Sequence, residues 1–174
     1  TSRFGTVEIK AEDILDFPEG VLGFANLRQF VLLDDAGDEI FAWLQSCENP
    51  HIAFPVLEPE LFSENYHVAL TKHDMEAIKM TANSRTRCFT IVTIPDDVTQ
   101  MTANLKAPIV INIEKRCARQ CVLQDNGLAI REPIFAKLQQ RLVANPHTPL
   151  KGNVADWGVA VKLPRPAGVP DAEL

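Results

Sequence analysis

The sequence predicts a mainly β fold: a small antiparallel β domain with short helices, followed by a C-terminal helix and a proline-rich extension. Three observations carry that reading. Up to residue 131, short runs of β-branched and aromatic residues recur between Gly, Pro, Asn and Asp, the pattern of strands joined by turns. No long 3.6-residue periodicity interrupts them. Beyond residue 131 the pattern changes to one amphipathic helical stretch and then to prolines. We therefore divide the 174 residues into a β domain, 1–131, and an appendage, 132–174. A chain of this size buries roughly 70% of its unfolded surface, so its core needs no metal or disulfide.

In chain order, the candidate strands are residues 5–10, 14–17, 29–33, 41–45, 53–57, 67–70, 87–94, 108–113 and 120–123. The segment 87–94 is the cleanest, because Phe89 and Ile91 alternate with Thr90 and imply one core-facing side. In 108–113, Pro108 lacks an N–H and fits a strand's first position. Its ring pushes Ala107 toward extended geometry, and Ile109, Val110 and Ile111 are β-branched. Their continuous apolar character predicts burial on both faces or at a barrel corner. The charged link 114–119 reads as a hairpin connection to 120–123.

Short helical turns are predicted at 59–62 and 74–80, the second capped by Asp74 with Met75 and Ile78 at helical spacing. In 132–143, Pro133 suits a first helical position, and Ile134, Phe135, Leu138 and Leu142 trace one apolar face before Asn145-Pro146 ends it. Pro146, Pro149, Pro164, Pro166 and Pro170 then punctuate an extended segment. Within it Trp157, Val159, Val161 and Leu163 alternate with small or charged residues. A Trp beside alternating valines is costly to leave wet, so this stretch is expected to dock as a strand on a sheet edge, of this chain or of a partner, rather than stay disordered.

Composition narrows the function classes. The net charge is −6, with 46% hydrophobic and 23% charged residues, as in ordinary globular chains. No apolar run approaches the roughly 18 residues of a membrane span, and no signal-like segment opens the chain. Residues 1–64 hold thirteen Asp/Glu against Arg3, Lys10 and Arg28, a balance of −10, while the remainder carries +4. An acidic first third repels phosphates, so no direct nucleic-acid role is expected, although Arg85, Arg87, Lys115, Arg116 and Arg119 could form a local basic patch. Such a field suits a basic protein partner, or it serves solubility alone.

No hydrolase elbow, phosphate-binding loop, dinucleotide fingerprint or zinc-protease helix is present. His51, His67, His73 and His147 are scattered. Cys47, Cys88, Cys117 and Cys121 include no CxxC pair; on one strand, Cys117 and Cys121 would lie about 13 Å apart, too far for a disulfide. They read as reduced thiols, which fits a reducing cytoplasm. Asp34, Asp35, Asp38 and Glu39 surround Gly37 without the ligand spacing of a calcium loop, so a charged hairpin turn is expected. No catalytic residue, metal or cofactor is expected.

Two stretches remain as candidates for function. Phe17-Pro18-Glu19-Gly20-Val21-Leu22-Gly23-Phe24 describes a compact loop in which the glycines permit positive φ and Phe17, Leu22 and Phe24 anchor; Leu22 or Phe24 could instead line a partner groove. In Met101-Thr102-Ala103-Asn104-Leu105-Lys106-Ala107-Pro108-Ile109-Val110-Ile111-Asn112, a polar turn feeds a buried strand. Asn104 and Asn112 either bond local backbone or offer exposed polar contacts beside an apolar groove.

These two stretches resemble the flagellar assembly factor FliW family, as do Leu44-Gln45-Ser46 followed by Pro50 and Ala53-Phe54, and Thr93-Ile94-Pro95-Asp96-Asp97. The resemblance covers residues 4–135. It implies a small β-barrel-like, non-enzymatic protein that binds flagellin and also binds and antagonises CsrA, an RNA-binding translational repressor. Phe24, Asn104, Lys106 and Asn112 are then expected near the partner surface, with Glu12, Asp13, Asp16 and Glu19 supplying negative field. The competing readings are a flagellin chaperone without the repressor contact, and a barrel enzyme or ligand binder. The tail after residue 135 departs from the family pattern.

Overall fold

The computed structural model describes residues 1–164. Its strands are β1 (Leu15–Asp16), β2 (Gln29–Asp35), β3 (Ala42–Ser46), β4 (Ala53–Leu57), β5 (Thr86–Thr93), β6 (Thr102–Ala103), β7 (Ile109–Asn112), β8 (Cys117–Gln120), β9 (Glu132–Pro133) and β10 (Ala160–Leu163). Its α-helices are α1 (Lys72–Ala77) and α2 (Phe135–Ala144). Seven strands close a barrel in the order β4, β3, β2, β1, β8, β7, β5, with β5 returning to β4. An odd number of strands cannot alternate direction all the way round. One neighbouring pair must therefore be parallel, and it is β1 with β8.

The barrel interior holds Leu15, Phe17, Phe30, Leu32, Leu44, Phe89, Ile109 and Ile111, drawn from alternate positions along each strand. The intervening residues face outward yet stay dry. Val31, Leu33 and Trp43 lie under Phe4, Val7 and the α2 residue Leu138, while Val110 packs on Ile78, Cys117 and Cys121. This double covering explains why 30–33 and 109–111 are continuously apolar rather than alternating.

Several boundaries differ from the sequence expectation. Residues 5–10 are not a strand: Gly5 turns the chain at φ +67°, and Val7 packs over the outer cluster of Val31, Leu33 and Trp43 instead. Residues 67–70 likewise form no strand, and Val68 and Leu70 cover Val110 from outside. The eighth strand starts at Cys117 rather than 120, because Arg116 adopts φ +52° and tightens the turn. Residues 121 and 123 continue the pairing through amide bonds to Pro108 and Lys106 carbonyls.

The first α-helix is capped by Thr71, not Asp74; Thr71 Oγ1 accepts the Asp74 amide at 3.1 Å and Asp74 Oδ2 accepts the Thr71 amide at 2.9 Å. Pro133 does not begin α2, since Glu132–Pro133 pair with β6 and the helix opens at Phe135. Ile134 and Leu138 form its buried face, whereas Leu142 is 45% exposed.

The expected hairpin turn at the acidic cluster is present. Asp35 Oδ1 accepts the Gly37 amide, Asp38 Oδ1 accepts those of Ile40 and Phe41, and Trp43 Nε1 donates to Asp38 Oδ2. All four cysteines are free, and burial pushes the Cys88 and Cys121 thiols well above their usual range.

The expected docking of the tail is also observed. Residues Ala160–Leu163 run parallel to Leu32–Asp35 of β2, and Trp157, 2% exposed, enters the barrel interior with its ring 4.8 Å from Phe89. Pro166 and Pro170, read as punctuating the extension, lie outside the described residues.

Candidate functional site

The two candidate stretches begin 84 residues apart in sequence but meet in the structure through a side chain that sequence reasoning assigned no role. Gln120, at the end of β8, is 8% exposed. Its Oε1 accepts the Leu22 amide at 2.9 Å and its Nε2 donates to the Ala107 carbonyl at 3.0 Å. One buried amide thus satisfies a donor on the early loop and an acceptor on the later turn. The available signal was a glutamine directly before the apolar run Cys121–Leu123, where a buried polar group requires partners.

Each stretch is also rigid by itself. The Gly20 amide donates to the Phe17 carbonyl, and the Phe24 amide to that of Val21, so the early loop is two successive turns. Gly20 has φ +67°, and a Cβ there would lie 2.6 Å from the Phe24 carbonyl oxygen. In the later turn, Asn104 Oδ1 accepts the amides of Lys106 and Ala107 at 3.1 and 3.0 Å. Leu22, on the early loop, is 57% exposed, and Val122, two residues beyond Gln120, is 46% exposed.

Charge gathers at the same loop. Arg119, which precedes Gln120, bonds both Asp74 on α1 (2.7 Å) and Glu19 on the early loop, while His73 Nε2 lies 2.9 Å from Glu19 Oε1. Hydrogen bonds from Arg119, and then His73, hold the Glu19 carboxyl below the usual range. Burial alone would raise Asp74, but the Thr71 amide and Arg119 outweigh it and lower that carboxyl too.

The expected site residues divide by what surrounds them. Phe24 is half-buried, its ring 5.4 Å from Phe54 at the rim of the interior cluster. Lys106 reaches the Asp125 carbonyl at 3.0 Å. Asn112 is corrected: it is 0% exposed and offers no surface contact. Its Nδ2 donates to the Ile78 and Lys79 carbonyls and its Oδ1 accepts the Lys115 amide, which joins the end of α1 to the β7–β8 turn.

Among the acids, Glu12 and Asp16 are exposed, Asp13 accepts the Lys10 amide, and Glu19 is offset by Arg119 and His73. Three members of the expected basic patch are paired: Arg85 with Glu114, Arg87 at 4.0 Å from Glu58, and Arg119 as above. Among the described residues, no group of three or more His, Cys, Asp and Glu is placed to hold a metal ion, and no helix is long and apolar enough to cross a membrane.

Two outcomes follow from this arrangement. Gln120→Ala leaves the Leu22 amide and the Ala107 carbonyl without partners and should cost about 2 kcal/mol, read as a lower urea midpoint. The acid limb of stability should track Glu19 and Asp74. Both carboxyls have depressed folded pKa values, so their contribution is complete above their ordinary values of 4.5 and 3.8 and is lost as pH falls through the lower folded values. Arg119→Met should therefore lower the urea midpoint at pH 7 and flatten its fall below pH 4. A fall as steep as in the parent protein would contradict that assignment.

Comparison with known proteins adds an independent line. A family model described as FliW protein matches residues 1–134. The chain is 68% identical over 174 residues to the flagellar assembly factor FliW of Bdellovibrio bacteriovorus, covering 100% of this chain and 98% of that one. It is 35% identical over 140 residues to the flagellar assembly factor FliW of Thermoanaerobacter pseudethanolicus, which is 80% of this chain and 93% of that relative. For the counterpart in Leptospira biflexa the figures are 36% over 141 residues, 80% and 92%. A crystal structure of the flagellar assembly factor FliW superposes with a TM-score of 0.68 at 33% identity, covering 74% of this chain and 90% of that one.

Proposed function

This chain belongs to the FliW family, and from that premise we propose that it is a non-enzymatic, cytoplasmic flagellar assembly factor that switches between two protein partners. One partner is flagellin. The other is a CsrA-type RNA-binding repressor, which the protein binds and antagonises when flagellin is not bound, so relieving repression of flagellin synthesis. The observation that carries this reading is the family match over residues 1–134, which includes both stretches joined by Gln120.

The physics of the surface supports it. The exposed Glu12 and Asp16 contribute to an acidic first third that would steer a basic RNA-binding protein. The exposed Leu22 and Val122 supply aliphatic anchors of the kind a flagellin helix would dock against. Neither contact requires a cofactor, nucleic acid or membrane.

Calorimetric titration with flagellin and, separately, with the repressor, followed by competition, tests the proposal. Binding to both is expected, with each ligand weakening the other. Flagellin binding alone would leave the chaperone reading, and binding to neither would defeat both. Glu12→Lys with Asp16→Lys should slow repressor association at low salt and flatten its salt dependence; an unchanged on-rate would remove the steering argument.

A further inference from the structure

The tail that follows α2 fills two features that the barrel would otherwise present to solvent. Strand β2 pairs with β1 only at Phe30 and Gln29, so the other half of that edge is taken by β10. Trp157 closes one mouth of the barrel: its ring stands at 72° to that of Phe89, and its Nε1 donates to Glu58 at 2.7 Å. Val154 and Val159 join the same interior cluster. Upstream, Lys151 pairs with Asp34 at 2.6 Å and donates to the Asp35 carbonyl.

The Thermoanaerobacter and Leptospira relatives leave only 7% and 8% of their own lengths unmatched, too little for this 30-residue addition. The family barrel can therefore exist without the tail. Clefts also flank the tail on both sides, one lined by Phe4, Val7 and Leu163, the other by Asp34, Lys151 and Ala160. Its ladder is short, four residues long, and parallel, the less stable kind of pairing per residue.

We propose that residues 150–163 are a releasable strap, an intramolecular ligand occupying a peptide-docking groove formed by the outer half of β2 and the barrel mouth. The strap opens without unfolding the barrel. The groove it vacates accepts an extended peptide with an aromatic anchor, because that is the chemistry of the segment now in it: a strand for the β2 edge and an indole for the mouth. This surface is distinct from the Leu22 and Val122 face, and its test requires neither flagellin nor the repressor.

Native-state hydrogen exchange on the full chain decides whether the strap opens alone. Amides of β10 are expected to exchange at least tenfold faster than those of β3 under conditions where the barrel stays folded. Equal rates would overturn the proposal, since the tail would then leave only on global unfolding.

A labelled synthetic peptide of residues 150–164 provides the second readout, added to full-length protein carrying Lys151→Ala and Trp157→Ala. It is expected to bind this opened variant at least tenfold more tightly than the parent, and a peptide with Trp157→Ala is expected to lose that gain. Failure to bind a variant of native circular dichroism would also overturn the proposal. Should the variant not fold, the exchange result on the parent protein decides alone.

Discussion

Trp157→Ala is expected to lower the unfolding free energy by about 3–5 kcal/mol, the cost of truncating a large aromatic side chain in a packed interior. For a domain of this length that corresponds to a fall of roughly 10 °C in the melting temperature. The substitution removes the indole from its edge contact with Phe89 and takes the Nε1 donor away from Glu58. Glu58 is then a partly buried carboxylate with Arg87 as a more distant partner at 4.0 Å. Burial already pushes its pKa up, with the Trp157 hydrogen bond opposing that shift, so loss of the donor should raise it further. Val143→Ala on the exposed face of α2 is the control, expected within about 0.5 kcal/mol of the parent because that side chain is 77% exposed. If the two variants melt alike, the tail does not complete the barrel core.

Gly20→Ala should be nearly as costly, for a different reason. The position has φ +67°, a region that L-residues enter at a cost of about 1–3 kcal/mol. A Cβ would also lie 2.6 Å from the Phe24 carbonyl oxygen and 2.7 Å from the Ala25 Cα. Both neighbours are backbone, so no side-chain rotation relieves the clash, and the turn itself must move. A total of about 3–5 kcal/mol is expected when this overpacking is added. The displaced loop carries Glu19 and Leu22, so the contacts to Arg119 and Gln120 should loosen with it. Gly23→Ala is the informative companion: its φ is +84° but no atom lies within 4 Å of the added Cβ. It should cost only the backbone term, and equal losses at the two positions would refute the steric argument.

The strands that were legible in the sequence were those whose patterns are local. Residues 53–57 match β4 at both ends, 29–33 stops two residues short of the end of β2, and 87–94 is shifted by one residue from β5. Of the two alternatives left open by the continuous apolar run at 109–111, burial on both faces is the one observed, since Ile109 and Ile111 face the interior and Val110 an outer cluster. The stretches 5–10 and 67–70 were illegible for a shared reason. Both have strand-like composition, but composition does not reveal that Val7, Val68 and Leu70 pack over outer clusters instead of joining a ladder.

At the candidate site, turn chemistry was readable where a side chain bonds its own neighbours. Asn104 caps its own turn, and Asp35 and Asp38 hold theirs. Partners distant in sequence were not readable. Nothing local indicates that Arg119 reaches both Glu19 and Asp74, or that Asn112 holds the end of α1 from inside the fold.

By itself, then, the sequence determined the β class, most strand positions and, through its motifs, the resemblance to the family to which the chain belongs. Each of these rests on spacing along the chain or on side chains acting within a few residues, and both survive in a linear string. Only the tertiary structure decided the closure of seven strands with one parallel pair, the joining of two stretches by Gln120, and the placement of Trp157 in the barrel mouth. These depend on which edges and cavities remain open once the other elements have packed, a competition settled by the whole molecule rather than by any segment of it.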